Sequence, residues 1–305
     1  MNYECETYEE MFDRVERDFA ALLSRSTLDK YIHNPFLKQR FIDDASTGQT
    51  DLSSESGSKG FKEISELEYE HGIFEYFDHN RPEMEREFRD FFYEEIGKAK
   101  YASFVNTIAN VWTLGHKGRK SSLVQSLIQS VYNFLSSRNL EPNDYILGDF
   151  ESGVHSPMFT NEEMKKLLLI NAKLLEHYLT EYCYQVSSLE ETTSFTKDDL
   201  WVHRGLFLDK EWGIGDQYTE KDFLNSYALS ISISEKFSKI DQNKVPSIVS
   251  WNVDDIINQV IAFYAFTPGM TNVQTELVVM PRMKRAVVQN ADLKSHIKDY
   301  ELTYK

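Results

Sequence analysis

Apolar residues recur at spacings of three and four through the first two thirds of the chain, and that periodicity predicts helices. Residues 8–23 set Met11, Phe12, Val15, Phe19 and Leu22 on one face. Pro82 suits the first turn of a helix, so a helix is expected to restart over 83–114, carrying Phe88, Phe92, Phe104 and Ile108, with Gly97 as a break. A third helix is expected over 121–135, through Val124, Leu127, Val131 and Leu135. A fourth opens at Thr160, where Thr160-Asn161-Glu162-Glu163 supplies a cap with acids in the first turn, and runs towards Tyr184. Between the first and second helices, residues 45–60 are rich in Ser, Thr, Gly and Asp and read as a loop or mobile linker. The chain has no internal repeat.

After Leu200 the period changes from helical to two. Val202-His203-Arg204-Gly205, Tyr227-Ala228-Leu229-Ser230-Ile231-Ser232 and Gln274-Thr275-Glu276-Leu277-Val278-Val279 each read as a strand. Alternation sends Arg204 and His203 to opposite faces, puts Ser230 with Ser232 on one face, and puts Gln274 with Glu276 on one face. The expected fold class is therefore α+β: a helical N-terminal region followed by a compact mixed α/β core. Thr196-Lys197-Asp198-Asp199 marks the expected boundary, giving 1–197 as the helical region and 198–305 as the core. The plainer alternative is a single domain in which the helices cover the sheet.

Composition narrows the function classes. A formal charge of −16 on 305 residues argues against a broad nucleic-acid-binding surface, which needs clustered Lys and Arg, while leaving room for a local basic groove. Two cysteines, Cys5 and Cys183, make no disulfide framework and suit a reducing compartment. The acidic first fourteen positions lack an apolar run, so no secretory leader is expected, and no segment nears the ~20 apolar residues of a membrane span. The expected location is cytoplasmic.

An arginine, a Ser-x-Ser pair and a Gln-x-Glu pair, in that order on successive strand-like segments, resemble the mono-ADP-ribosyltransferase family of the arginine-serine-glutamate type. The likeness covers residues 198–290 and includes the tail Glu276-Leu277-Val278-Val279-Met280-Pro281 with Arg285-Ala286-Val287-Val288, and the segment Ser234-Glu235-Lys236-Phe237. Ala228 and Ile231 depart from the Phe and Thr usual around the serines. The resemblance implies a core of two packed small sheets and an NAD-consuming toxin or effector with side NAD glycohydrolase activity. It makes NAD a substrate, needs no metal, and allows a neutralising or chaperone protein as a partner. It further implies Glu276 as the catalytic carboxylate near the ribose, Ser230 as the group that orients it, and Ser232 as a support for the pocket. Arg204 is expected to hold the diphosphate, because a guanidinium offers forked donors to phosphate oxygens. Gly205 is expected to let backbone approach the carboxamide.

Gln274 bears on the acceptor. Family members that modify arginine usually carry a second glutamate at this place, and glutamine cannot act as a base, although it can pair with an amide, a hydroxyl or a nucleobase edge. A non-arginine acceptor follows, a protein side chain being favoured and a DNA or RNA base being the alternative. Phe266-Thr267-Pro268-Gly269-Met270-Thr271-Asn272 is the expected acceptor-facing loop, with Tyr264 and Phe266 near it. A reading of another class is a catalytically silent protein-binding module on the same fold. Other motifs are thin: Gly213-Ile214-Gly215 lacks the third glycine of a dinucleotide fingerprint, and His71 and His79 have no metal-ligand spacing.

Overall fold

The computed structural model describes residues 73–114, 116–138, 150, 153–189, 197, 200–218, 220, 222–241, 243–270, 275–281, 286–294 and 297–304. The helix expected over 8–23 and the linker over 45–60 lie outside them. Helix α1, Ile73–Glu95, begins upstream of Pro82 and runs through it, where the sequence suggested a start behind the proline. An internal proline costs a helix about 3 kcal/mol through the lost N–H and the clash with the preceding turn. Against that cost stand Ile73, Phe74 and Phe77, all buried, each contributing roughly 1.5–3 kcal/mol on burial. Packing outweighs propensity here. The break expected at Gly97 is present, with the glycine at φ 113.

Beyond Gly97, α2 (Lys98–Asn106) passes into a π-helical turn over Thr107–Val111 and a 3-10 turn over Trp112–Leu114. The short α3 (His116–Arg119) follows. Helix α4, Ser122–Ser136, is capped by Ser121, whose Oγ accepts from Val124 N at 3.2 Å. Helix α5, Asn161–Leu189, opens with a reciprocal capping box. Thr160 Oγ1 accepts from Glu163 N at 3.3 Å, and Glu163 Oε2 accepts from Thr160 N at 2.7 Å. Lys100 Nζ also reaches Glu163 at 2.5 Å, fastening α2 to the start of α5.

The strands are β1 (Trp201–Leu208), β2 (Gln217–Tyr218), β3 (Asn225–Ala228), β4 (Val245–Asn252), β5 (Val260–Phe263), β6 (Glu276–Val279), β7 (Ala286–Lys294) and β8 (Ile297–Tyr304). Between β3 and β4 lies α6, Ile231–Ser238, and after β4 comes the single turn α7, Val253–Ile256. Their hydrogen-bonded order is β2-β7-β8-β4-β1-β3-β6-β5. Among the described strands only β4 and β8 run parallel. β1 pairs with β4 along its whole length, from Trp201 opposite Asn252 to Leu208 opposite Val245. It meets β3 at one pair alone, His203 opposite Ala228. The strands thus fall into two small groups, β2-β7-β8-β4-β1 and β3-β6-β5, joined at a single position. The fold class is α+β.

Helices and strands share one hydrophobic core. Phe77 of α1 meets the Phe263 ring of β5 edge-on at 4.9 Å between centroids, and Phe88 stacks on Phe266 at 6.5 Å. Such aromatic pairs add about 0.5–1.5 kcal/mol beyond the area they bury. Asn171 of α5 is fully buried and donates from Nδ2 to Ile261 O at 2.9 Å, so a polar tie crosses the same interface. Among the described residues no helix is long and apolar enough to cross a membrane.

Candidate functional site

Glu276 is the first residue of β6 and is 7 % exposed. The residue before it, Thr275, has φ 45, a left-handed conformation that a β-branched side chain rarely adopts. Two backbone donors grip it: Leu229 N reaches Thr275 O, and Ser230 N reaches Thr275 Oγ1, both at 3.4 Å. This turn delivers the Glu276 carboxylate to two hydrogen-bond donors. Trp112 Nε1 donates to Oε1 at 2.8 Å, and Ser226 Oγ donates to the same oxygen. Burial pushes the Glu276 carboxyl above the ordinary carboxylate range. The Ser226 and Trp112 bonds and the charge of Arg119 oppose that rise without cancelling it.

Arg204 lies on β1, one residue beyond the joint with β3. Its Nη1 donates to Asn225 Oδ1, its Nη2 lies 3.5 Å from Asp222 Oδ2, and its guanidinium sits 5.9 Å from the Tyr227 ring centroid. Burial works against its charge, but the phenols of Tyr218 and Tyr227 and the carboxylates of Glu220 and Asp222 more than offset this and raise its pKa. Tyr227 OH donates in turn to Glu220 Oε1 at 2.7 Å. A second arginine enters from the helical segment. Arg119 Nη1 reaches the same Asp222 Oδ2 at 3.1 Å, and its guanidinium lies 5.1 Å from the Trp112 ring centroid.

The result is a continuous path from Glu276 to Trp112, across its ring to Arg119, through Asp222 to Arg204. Strand alternation places Arg204 and Glu276, the family resemblance gives them their expected roles, and the fold links them through residues that neither singles out. Neither Trp112 nor Arg119 belongs to a motif of the sequence. Both depend on contacts across more than a hundred positions of chain, which no local period reports.

The serines differ from expectation. Residues 227–232 do not form one strand: β3 ends at Ala228, and α6 starts at Ile231. Ser230 is the N-cap of α6, its Oγ accepting from Ile233 N at 3.3 Å, and the serine hydroxyl bonded to Glu276 is that of Ser226. The physical reason is local. A serine hydroxyl at a chain turn satisfies an otherwise orphaned helix donor, and that outweighs the alternation of Ser and Ile. Ser232-Ile233-Ser234-Glu235 carries the Ser-x-x-Glu signature of a helix start and could have signalled it. Ser232 lies within α6.

Gly205 has a packing role. A Cβ built there would stand 2.0 Å from Ser234 O and 2.7 Å from Ser238 N, both backbone atoms of α6. The glycine lets the helix lie directly on β1. Gln274 falls outside the described residues, as do Thr271 and Asn272 of the expected acceptor-facing loop. Tyr264 and Phe266 are fully buried in the core. The loop's described end is fixed: Arg81 Nη2 donates to Met270 O at 2.7 Å, and Gly269, at φ 82, packs against Ala109 of the π turn.

No family model matches this chain, and no curated protein matches it. Among solved structures it is similar to the crystal structure of ADP-ribosyltransferase Vis in complex with M6 inhibitor, at 8% identity and a TM-score of 0.38, over 82% of this chain and 90% of that one. A superposition that loose bears on neither the residues of the site nor the reaction.

Proposed function

We propose that the chain is an NAD-dependent mono-ADP-ribosyltransferase of the toxin or effector kind. The observation that carries this reading is the single network joining a buried carboxylate, Glu276, to a charged guanidinium, Arg204, across the joint of the two strand groups. In the proposed reaction the bond between ribose C1′ and the nicotinamide nitrogen breaks, and nicotinamide leaves as a neutral molecule with the bonding electrons. The ribose then carries an oxocarbenium-like positive charge. A fixed, desolvated carboxylate stabilises that charge more than the ground state, because little solvent screens it. Ser226 and Trp112 hold Glu276 in place, and Arg204 takes the diphosphate. The acceptor's lone pair then bonds to C1′ and its proton is released. Residues 1–197 supply Trp112 and Arg119, and 198–305 form the catalytic core.

The acidic charge of the chain favours a protein acceptor over a nucleic acid, since approach to phosphate is opposed at long range. Incubation of the purified protein with NAD labelled in the nicotinamide tests the reaction, with slow release expected even without an acceptor. NAD labelled in the adenine, added to cell lysate, should yield a high-molecular-weight product sensitive to protease. Product lost with nuclease alone transfers the acceptor to nucleic acid and leaves the reaction standing. Neither nicotinamide nor labelled product, from a protein shown to be folded, rejects the enzyme in favour of a binding module.

A further inference from the structure

Asp222 stands between two guanidinium groups that come from different parts of the fold. One carboxylate oxygen, Oδ2, serves both Arg119 Nη1 at 3.1 Å and Arg204 Nη2 at 3.5 Å. Each arginine also has a neutral support that does not involve Asp222. Arg119 lies over the Trp112 ring, and its backbone carbonyl accepts from Gln125 Nε2 at 2.7 Å. Arg204 donates to Asn225 Oδ1 and lies over Tyr227. With the carboxylate gone, both guanidinium groups would keep their places. Asp222's own backbone is anchored separately: its carbonyl accepts from Asn225 Nδ2 at 2.9 Å, and the next residue, Phe223, packs on Phe150 and Tyr132 with centroids 4.9 and 5.9 Å away. The side chain is therefore the part able to leave, by a rotamer change at an anchored backbone. It is 32% exposed, which gives it water to move into.

We propose that Asp222 is a built-in competitor for an anionic ligand, occupying in the free protein the position between Arg119 and Arg204 that a diphosphate takes on binding. This rests on the reading of Arg204 as the diphosphate group for NAD, and deepens it. An incoming diphosphate carries more charge and more acceptor oxygens than one carboxylate, so it satisfies both forks at once. Displacing Asp222 reduces the ligand's net gain and weakens the hold on smaller or singly charged anions. The pair also couples the helical segment to the strands, because the ligand would bridge the arginine of each.

The test uses inorganic pyrophosphate and ADP-ribose as probes, with binding followed by calorimetry on the full chain. Asp222→Asn removes the charge and keeps the shape, and should tighten pyrophosphate by roughly two- to thirtyfold, the range set by losing two partly exposed ion pairs. The gain should shrink as salt is raised. Glu94→Gln, an exposed change of equal charge on α1, should leave pyrophosphate binding unchanged and so isolates the local effect. In the Asp222→Asn background, Arg119→Gln should weaken pyrophosphate by about tenfold, in keeping with loss of a charge-assisted contact. Unchanged or weaker pyrophosphate binding by folded Asp222→Asn overturns the proposal, as does equal binding with and without Arg119. Nicotinamide release is read in parallel. If pyrophosphate tightens while no variant releases nicotinamide, the competitor stands and the transferase reading falls; release without tightening gives the reverse.

Discussion

Trp112 and Glu276, 164 positions apart in sequence, meet through a 2.8 Å hydrogen bond from the indole nitrogen to the buried carboxylate. The helical segment is thereby part of the site. Trp112→Phe keeps an aromatic ring, though a smaller one, and removes the donor. A hydrogen bond to a charged group is worth about 1.5–3 kcal/mol, so nicotinamide release should fall roughly ten- to hundredfold. The lost bond is one that lowers the Glu276 pKa. The acid limb of the pH-rate profile should therefore move to higher pH, which a change in packing alone would not produce.

Glu276→Gln should divide activity from stability. Removing a charge that acts in the transition state costs about a hundred- to thousandfold in rate, while NAD affinity should stay within a few-fold. Stability should change in the opposite direction. Burial raises the folded pKa of Glu276, so protonation stabilises the fold. That stabilisation is fully present below the unfolded carboxylate value of about 4.3 and is lost as pH rises through the folded one. Glutamine stays neutral throughout. The variant should resist urea better than the wild type at pH 7.5, and the advantage should vanish near pH 4.

Ser226 and Ser230 should separate in the same way. Ser226→Ala removes a donor to Glu276 from a half-buried strand position, so nicotinamide release should drop with little change in the urea midpoint. Ser230→Ala removes the cap of α6 and should cost about 0.5–2 kcal/mol of stability. The reverse pattern would return the orienting role to Ser230.

Gly205→Ala places a methyl group against two backbone atoms of α6, neither of which can swing aside. Overpacking of this kind costs typically about 1–3 kcal/mol, so the urea midpoint should fall clearly. An unchanged midpoint would mean that α6 can lift from β1 at no cost.

Parts of this fold were readable wherever the governing interactions are local. Ser121 and Thr160 announce their helices because a cap bonds three residues ahead, within the same few positions that show the apolar period. A period of two predicts strands at Arg204 and Glu276, and β1 and β6 carry them. Pro82 misled because the energy that keeps α1 intact comes from Phe74 and Phe77 packing into the core, which no neighbouring residue encodes. Ser230 misled because a period of two and a helix cap compete for the same residues. Trp112, Arg119 and Asp222 were out of reach for a different reason. Their partners are set by tertiary packing, and nothing in their own stretch of sequence marks them for the site.

The π turn over Thr107–Val111 has a consequence for how this chain tolerates change in length. Each helical residue advances the side-chain direction by about 100°, and a π turn delays that advance by fitting an extra residue into the turn. Because the turn already holds that extra residue, removing one there would let it relax to ordinary α geometry with Trp112 still turned towards Glu276. Adding one would carry Trp112 out of phase while leaving every side chain of the site chemically intact. Loops usually absorb insertions and deletions freely. This short helical stretch should absorb the loss of one residue but not a gain, and a single-residue insertion within it should abolish activity in a protein that still folds.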